Sequence, residues 1–361
     1  MGRGEPVPHR RARGAARSWG RASAGRGLTA ILAGLAAAVA CGAASAAPGL
    51  LVGANDDSLK ATPAETSAVA GDLGLRAYAL SLRWSPGETA LSASAAGALG
   101  TATRAAGGNR VVLAIYGDTA PASPEWREDF CRYARDALAR FPQVNDIVIW
   151  NEPNLSYFWA PQYDLGGVSW APSQYGLLLE RCYDLLHAFR PSVNVIAPAT
   201  SPWGNDDPFA QSNIGHSPTS FILQLGRAFR ASGRTKPIFD TLGHHPHPVS
   251  SNERPWLRHS SDRFISFGDL DRLVGAATEA FSGTAQPTPA KGLPIWYLET
   301  GYQTVPDESK RGLYTGVENW PGALPDDAGG EPAQPPPPAD SAAPDQATQL
   351  VDSLRLAYCQ P

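Results

Sequence analysis

Glu152 lies in Val148-Ile149-Trp150-Asn151-Glu152-Pro153-Asn154, where an apolar run that begins at Asp146 ends on a carboxylate. A second apolar run, Pro294-Ile295-Trp296-Tyr297-Leu298, ends on Glu299, 147 residues later. Cleaving a glycosidic bond needs one carboxyl group that donates a proton and one that stays ionised, and two strand-end glutamates supply both. Other strand-like runs also end on polar groups. Arg83 follows Leu80-Ser81-Leu82, and three histidines fall in Gly243-His244-His245-Pro246-His247-Pro248. A β/α barrel gathers the C-terminal ends of its strands at one mouth, where its catalytic residues sit. The candidate site is therefore Glu152 and Glu299 for catalysis, with Asn151, Arg83, His245 and His247 toward the substrate. Flat aromatic faces stack on sugar rings. Trp84, Trp159, Trp203 and Trp296 lie at or beyond strand ends, and Trp159 and Trp203, as loop residues, are the better stacking candidates. Trp150 and Trp296 are expected to point away from the barrel centre and to belong to the core.

The elements that would position these groups alternate along the chain. Strand-like runs cover Gly49 to Ala54, Leu75 to Leu82, Arg110 to Tyr116, Val144 to Trp150, Val193 to Pro198, Ile238 to Gly243 and Pro294 to Leu298. Helical spacing covers Trp126 to Arg140, Gln174 to Arg190, Pro218 to Ala231, Phe267 to Phe281 and Gln346 to Tyr358. In the second of these, Leu177, Leu178, Cys182, Leu185, Leu186 and Phe189 form one apolar face. Near-continuous apolar strands predict a parallel sheet buried on both faces. No Gly-rich dinucleotide fingerprint follows any strand, so a barrel is favoured over an open doubly wound sheet. The count reaches seven strands and a seventh helix before Pro361. The expectation is thus a (β/α)8 TIM barrel cut short before its eighth strand, with part of the rim lost. Residues 321–345, rich in Pro, Ala and Asp with four consecutive prolines at 335–338, read as an extended insertion in the seventh β/α loop.

Asn-Glu-Pro closing a fourth strand, with Glu closing a seventh, resembles clan A of the retaining glycoside hydrolases. The cellulase-like family 5 is nearest and the β-xylosidase-like family 39 next. The resemblance runs from about Gly49 past Leu298. It implies that Glu152 is the general acid/base and Glu299 the nucleophile of a double displacement without a cofactor. It further implies that Arg83 holds Glu299 ionised and that Asn151 binds the sugar 2-hydroxyl. His245 and His247 match a sixth-strand His-x-Tyr pattern that orients the nucleophile, with His247 standing where the family has Tyr. β-linked glycans or glycosides are the implied substrates. An inactive carbohydrate-binding barrel and a transglycosylase are the alternatives. The loops that choose a sugar vary freely on this fold, so the sugar itself is not legible. Metal-dependent barrel hydrolases usually carry His-x-His on the first strand. This first strand reads Val52-Gly53-Ala54-Asn55-Asp56, so no metal is expected at the histidines.

Composition narrows the partners. The first 27 residues hold seven Arg and one Glu, and Leu28 to Ala40 is apolar but shorter than a membrane span requires. Ala44-Ser45-Ala46 follows as a cleavage signal, so residues 1–46 read as an export signal and 47–361 as one catalytic domain of a secreted protein. Removing residues 1–46 lowers Lys+Arg from 30 to 23 and Asp+Glu from 34 to 33, taking the net charge from −4 to −10. An acidic exported domain is a poor nucleic-acid binder, whereas a neutral sugar suits it. Stable membrane association is expected only if Cys41 is lipidated. No Cys-x-x-Cys spacing suggests zinc. Cys131 and Cys182 lie on helices that flank the Glu152 strand. They are read either as a disulfide or as two reduced buried cysteines. Cys359 has no obvious partner in the sequence.

Overall fold

The computed structural model describes residues 49–250, 253–302 and 346–360. The export signal, Cys41 and the proline-rich insertion at 321–345 lie outside the described residues. Seven strands form one parallel sheet in sequential order: β1 Gly53–Asn55, β2 Ala77–Arg83, β3 Arg110–Tyr116, β4 Asp146–Ile149, β5 Asn194–Thr200, β6 Thr241–His244 and β7 Ile295–Tyr297. The helices are α1 Ser58–Ala61, α2 Pro63–Asp72, α3 Ala93–Ala105, α4 Pro124–Arg140, α5 Ala171–Phe189, α6 Pro218–Ser232, α7 Leu270–Phe281 and α8 Gln346–Cys359. Strand-then-helix repeats in sequential parallel order are the wall of a (β/α)8 barrel, and the expected fold class holds. Among the described residues there is no eighth strand, so β1 and β7 are the sheet's edges. Burial follows from that: every residue of β4 and β6 is buried, whereas β7 is only half-buried.

Two apolar layers hold the wall. The larger lies between strands and helices, with Leu80, Leu113, Ile147, Ile149, Val195 and Leu242 packed against Phe130, Leu138, Leu178 and Leu225. The smaller fills the barrel interior with Val112, Val148, Ile196 and Ala199, joined by Trp296 and Leu298. Alternation along each strand sends successive residues to opposite layers. The interior is tight enough that Gly243 is required there. A Cβ on it would lie 2.9 Å from Leu298 Cδ1 and 3.0 Å from Ile196 Cγ2.

At the N-terminal end of the strands a polar chain ties four of them together. Arg110 donates Nε–H and Nη2–H to Asp146 at 2.6 and 2.7 Å, Asn194 donates to Asp146 at 2.8 Å, and Thr241 donates to Asn194 at 2.8 Å. The Arg110 guanidinium also stacks on Trp296, 4.5 Å from the ring centroid. Trp296 is therefore an interior residue, contrary to the expectation that it points away from the barrel centre. Trp150 does sit in the outer core, edge-on to Trp84 and Trp159.

Helix ends follow local sequence. Ser123 and Ser217 cap α4 and α6 by accepting from Trp126 and Ser220 N–H, each with Pro in the first turn. Cys131 on α4 and Cys182 on α5 form a disulfide, which decides between the two readings. No cysteine among the described residues is free. The sequence reading missed α1, α2 and α3. The last is a run of Ala, Gly, Ser and Thr whose buried face is only Leu99, Ala102 and Thr103, too little contrast for a periodic signal.

Candidate functional site

Glu152 follows β4 through an irregular turn. Trp150 and Glu152 both hold positive φ, at 69° and 39°. Ala199, opposite them in a bulge of β5, has φ 51°, and its carbonyl accepts the Glu152 N–H at 3.1 Å. Non-glycine residues in this region are strained and persist only where the surroundings enforce them, and bulges commonly re-aim side chains beside active sites. Here the enforcement is visible. Asn154 is fully buried and donates to the carbonyls of Trp203 and His216 at 3.2 and 3.0 Å. Its own Oδ1 accepts from Ser201 N–H at 2.9 Å, locking the β4 and β5 loops together.

His245 sits just beyond β6, its N–H given to Thr200 O, and its side chain is buried between the two glutamates. Its Nδ1 lies 3.0 Å from Glu152 Oε1 and 3.8 Å from Glu299 Oε2, so those two oxygens are at most 6.8 Å apart. Glu299 follows β7, whose end is fixed by Leu298 N–H donating to His244 O at 3.0 Å. His247 Nε2 lies 3.8 Å from Glu299 Oε2, and the Asn55 side chain at the end of β1 hydrogen-bonds Glu299. The mouth thus joins β1, β4, β6 and β7.

The charges are ordered. Burial opposes ionisation of Glu299, but hydrogen bonds from His247 and Asn55 and the nearby imidazoles outweigh it and hold its pKa below the usual carboxylate value. Burial likewise opposes charge on His245, yet the Glu152 hydrogen bond and the Glu299 and Glu152 charges raise it above an ordinary histidine. His244 is different. It points into the core between Thr200 Oγ1 and Ile265 O, and burial pushes it down to about 3, so it is a neutral structural residue.

Six other sequence candidates distribute unevenly. Asn151 is buried at 7% exposure beside Glu152, and its side chain forms no protein hydrogen bond among the described residues. Arg83 pairs with Asp118 instead of Glu299 and stacks on Tyr116 at 4.7 Å. Asp118, one turn beyond β3, captures it at the exposed rim. Trp159 is completely buried, packed edge-on between Trp150 and Tyr175 at 5.6 Å from each, and so offers no face to a sugar. Trp203 is half-buried and pairs in an isolated antiparallel bridge with Phe264. Trp84 is buried in the outer core, and Trp296 in the interior layer. Aromatic groups that do reach the rim are Tyr116, Phe158 and Tyr157, with Phe158 edge-on to each neighbour. Asn55 and this aromatic group were missed. Asn55 carried a signal, as the polar residue ending the first strand, whereas the rim aromatics had none beyond composition.

For metal ions, Glu152, His245 and His247 each present a ligand atom, all within 4.8 Å of one another.

No protein-family model matches the chain, and no curated protein matches it by sequence. Solved structures do match. A monomeric β-xylosidase from Caulobacter crescentus CB15 is similar at 18% identity and a TM-score of 0.45, over 70% of this chain and 52% of that one. The virulence factor SghA from Agrobacterium tumefaciens is similar at 15% identity and a TM-score of 0.45, over 70% of this chain and 69% of that one. A β-glucosidase from Thermotoga maritima in complex with deoxynojirimycin is similar at 14% identity and a TM-score of 0.45, over 70% and 69%. The chain spans about half the length of the β-xylosidase.

Proposed function

We propose that this chain is a retaining glycoside hydrolase of the clan A type, acting on β-linked glycans or glycosides, with Glu299 as nucleophile and Glu152 as acid/base. The observation that carries the reading is the pair of glutamate oxygens at most 6.8 Å apart across His245. Retaining enzymes hold their carboxyl groups about 5–5.5 Å apart, whereas inverting ones need roughly 6.5–9.5 Å to admit a water. The bound includes the first range and leaves almost none of the second.

The roles follow from the environments. Glu299, held ionised by Asn55 and the two histidines, attacks the anomeric carbon as the leaving oxygen departs. Glu152 delivers the proton to that oxygen. The proton lies between Glu152 Oε1 and His245 Nδ1, 3.0 Å apart, so His245 stores it beside the acid. The glycosyl ester on Glu299 is then hydrolysed by a water that Glu152 deprotonates. The Asn151 amide, buried without a protein partner, suits the sugar 2-hydroxyl, since buried polar groups are otherwise hydrogen-bonded. The disulfide between Cys131 and Cys182 fits the oxidising surroundings of an exported protein, and we include secretion in the proposal.

The test is hydrolysis of a panel of aryl β-glycosides by the wild type, Glu299→Ala and Glu152→Ala. We expect Glu299→Ala to fall to background. Glu152→Ala should lose about 10²–10⁴-fold on poor leaving groups and much less on activated ones, which need no proton. Equal hydrolysis by wild type and Glu299→Ala, or none by the wild type across the panel, would overturn the assignment.

A further inference from the structure

We propose that the mouth also binds one divalent transition-metal ion of the Zn²⁺ class through His245, His247, Glu152 and Glu299, and that this ion inhibits the enzyme. The site stands on geometry alone; only its inhibitory consequence rests on the glycosidase reading above.

His-Pro-His after β6 places two imidazoles two residues apart. The His247 N–H donates to His245 O at 2.9 Å, and the resulting bend turns both rings to the same mouth, centroids 6.2 Å apart and 87° between planes. Three nitrogen–oxygen separations are 3.0 Å for His245–Glu152, 3.8 Å for His245–Glu299 and 3.8 Å for His247–Glu299. A four-coordinate zinc site with bonds of 2.0–2.1 Å has ligand atoms roughly 3.3 Å apart. The four side chains are thus within small rotations of closing on one ion.

The donor set selects the metal class. Two imidazoles with two carboxylates suit Zn²⁺, Co²⁺, Ni²⁺ or Cu²⁺, whereas Ca²⁺ and Mg²⁺ prefer oxygen alone. Two carboxylates also neutralise the ion's charge in a half-buried place. His245 is shielded, with 2% of its side chain exposed, while His247 is 40% exposed and opens the approach from solvent. An ion held there would take both glutamates as ligands at once. Neither could then act as nucleophile or proton donor, which makes the ion an inhibitor rather than a cofactor. His247 distinguishes this mouth from one with tyrosine at the same position, which would lack the second nitrogen.

The experiment starts from the full chain stripped by a chelator and dialysed free of it. Co²⁺ is titrated while its visible d–d absorption is followed, and Zn²⁺ stoichiometry is measured by equilibrium dialysis. The expected result is one ion per chain with the intense bands of four- or five-coordinate Co²⁺, displaced by Zn²⁺. His247→Gln, exposed enough to leave folding intact by circular dichroism, should bind at least about 100-fold more weakly. Absence of a bound ion in the wild type, or unchanged binding in both His247→Gln and His245→Gln, would overturn the site. Full hydrolysis of aryl β-glycosides by the Zn²⁺-saturated wild type would overturn the inhibition. A chain that binds Zn²⁺ yet hydrolyses nothing when metal-free would sink the glycosidase reading while leaving the metal site standing.

Discussion

At the scale of single residues, the site turns on a proton count. Glu299 must be ionised, and its pKa is lowered, so activity is lost only as pH falls through a value below the ordinary carboxylate range. The proton shared by His245 and Glu152 must be present, and His245 is raised, so activity is lost as pH rises through a value above that of an ordinary histidine. We expect a bell-shaped profile of kcat/KM, with the alkaline limb moved down in His245→Gln and the acid limb retained there because Asn55 and His247 still face Glu299. An unchanged alkaline limb would deny His245 its proton-holding role. Glu152, Glu299, His245 and His247 were legible in the sequence because strand ends dictate where they go. Arg83 and Trp159 were not, because a side chain's direction depends on which partner captures it. Asp118 takes Arg83 outward, and Trp150 with Tyr175 takes Trp159 into the core.

At the scale of elements, the long connection after β6 is braced by a buried charge cluster. His259 Nδ1 lies 2.7 Å from Asp269 and its Nε2 lies 3.3 Å from Glu253. Burial opposes the imidazolium, but these carboxylates push it up to about 9. A raised pKa contributes stability that is complete below the ordinary histidine value and is lost as pH rises through about 9. Thermal melts from pH 6 to 10 should therefore decline in the wild type and flatten in His259→Gln. That variant should be less stable at neutral pH by about 3 kcal/mol, because it leaves two buried carboxylates unpaired. A parallel decline in both proteins would mean another group titrates. The disulfide joining α4 to α5 closes a 51-residue separation, and Cys131→Ala/Cys182→Ala should lose about 2–4 kcal/mol by calorimetry. An unchanged melting temperature would mean that helix packing alone holds those helices. Apolar runs located every strand to within a few residues. Strand edges were misjudged at β4 and β5, where the positive φ of Trp150 and the bulge at Ala199 break the period. Such irregularity arises from the site's own constraints and leaves no periodic trace.

At the scale of the whole molecule, one parallel wall separates two kinds of polar residue. Its N-terminal side carries the chain from Arg110 through Asp146 and Asn194 to Thr241, fully paired and structural. Its C-terminal side carries the glutamates, Asn151 and the histidines, with polar capacity left over. That division is the usual one for β/α barrels, stability below and chemistry above. Sequential strand order was legible from alternating strand and helix patterns, because parallel neighbours need a crossover helix between them. The interior position of Trp296 was not, since it depends on Arg110 reaching across the barrel floor.

Trapping the covalent intermediate tests the central claim most directly. The full chain would be incubated with a 2-deoxy-2-fluoro glycosyl fluoride of the sugar it hydrolyses, and then analysed by intact and peptide mass spectrometry. The account predicts one added glycosyl unit per chain, on the peptide containing Glu299, and none in Glu299→Ala. Steady hydrolysis with no adduct, or an adduct on a residue other than Glu299, would contradict it.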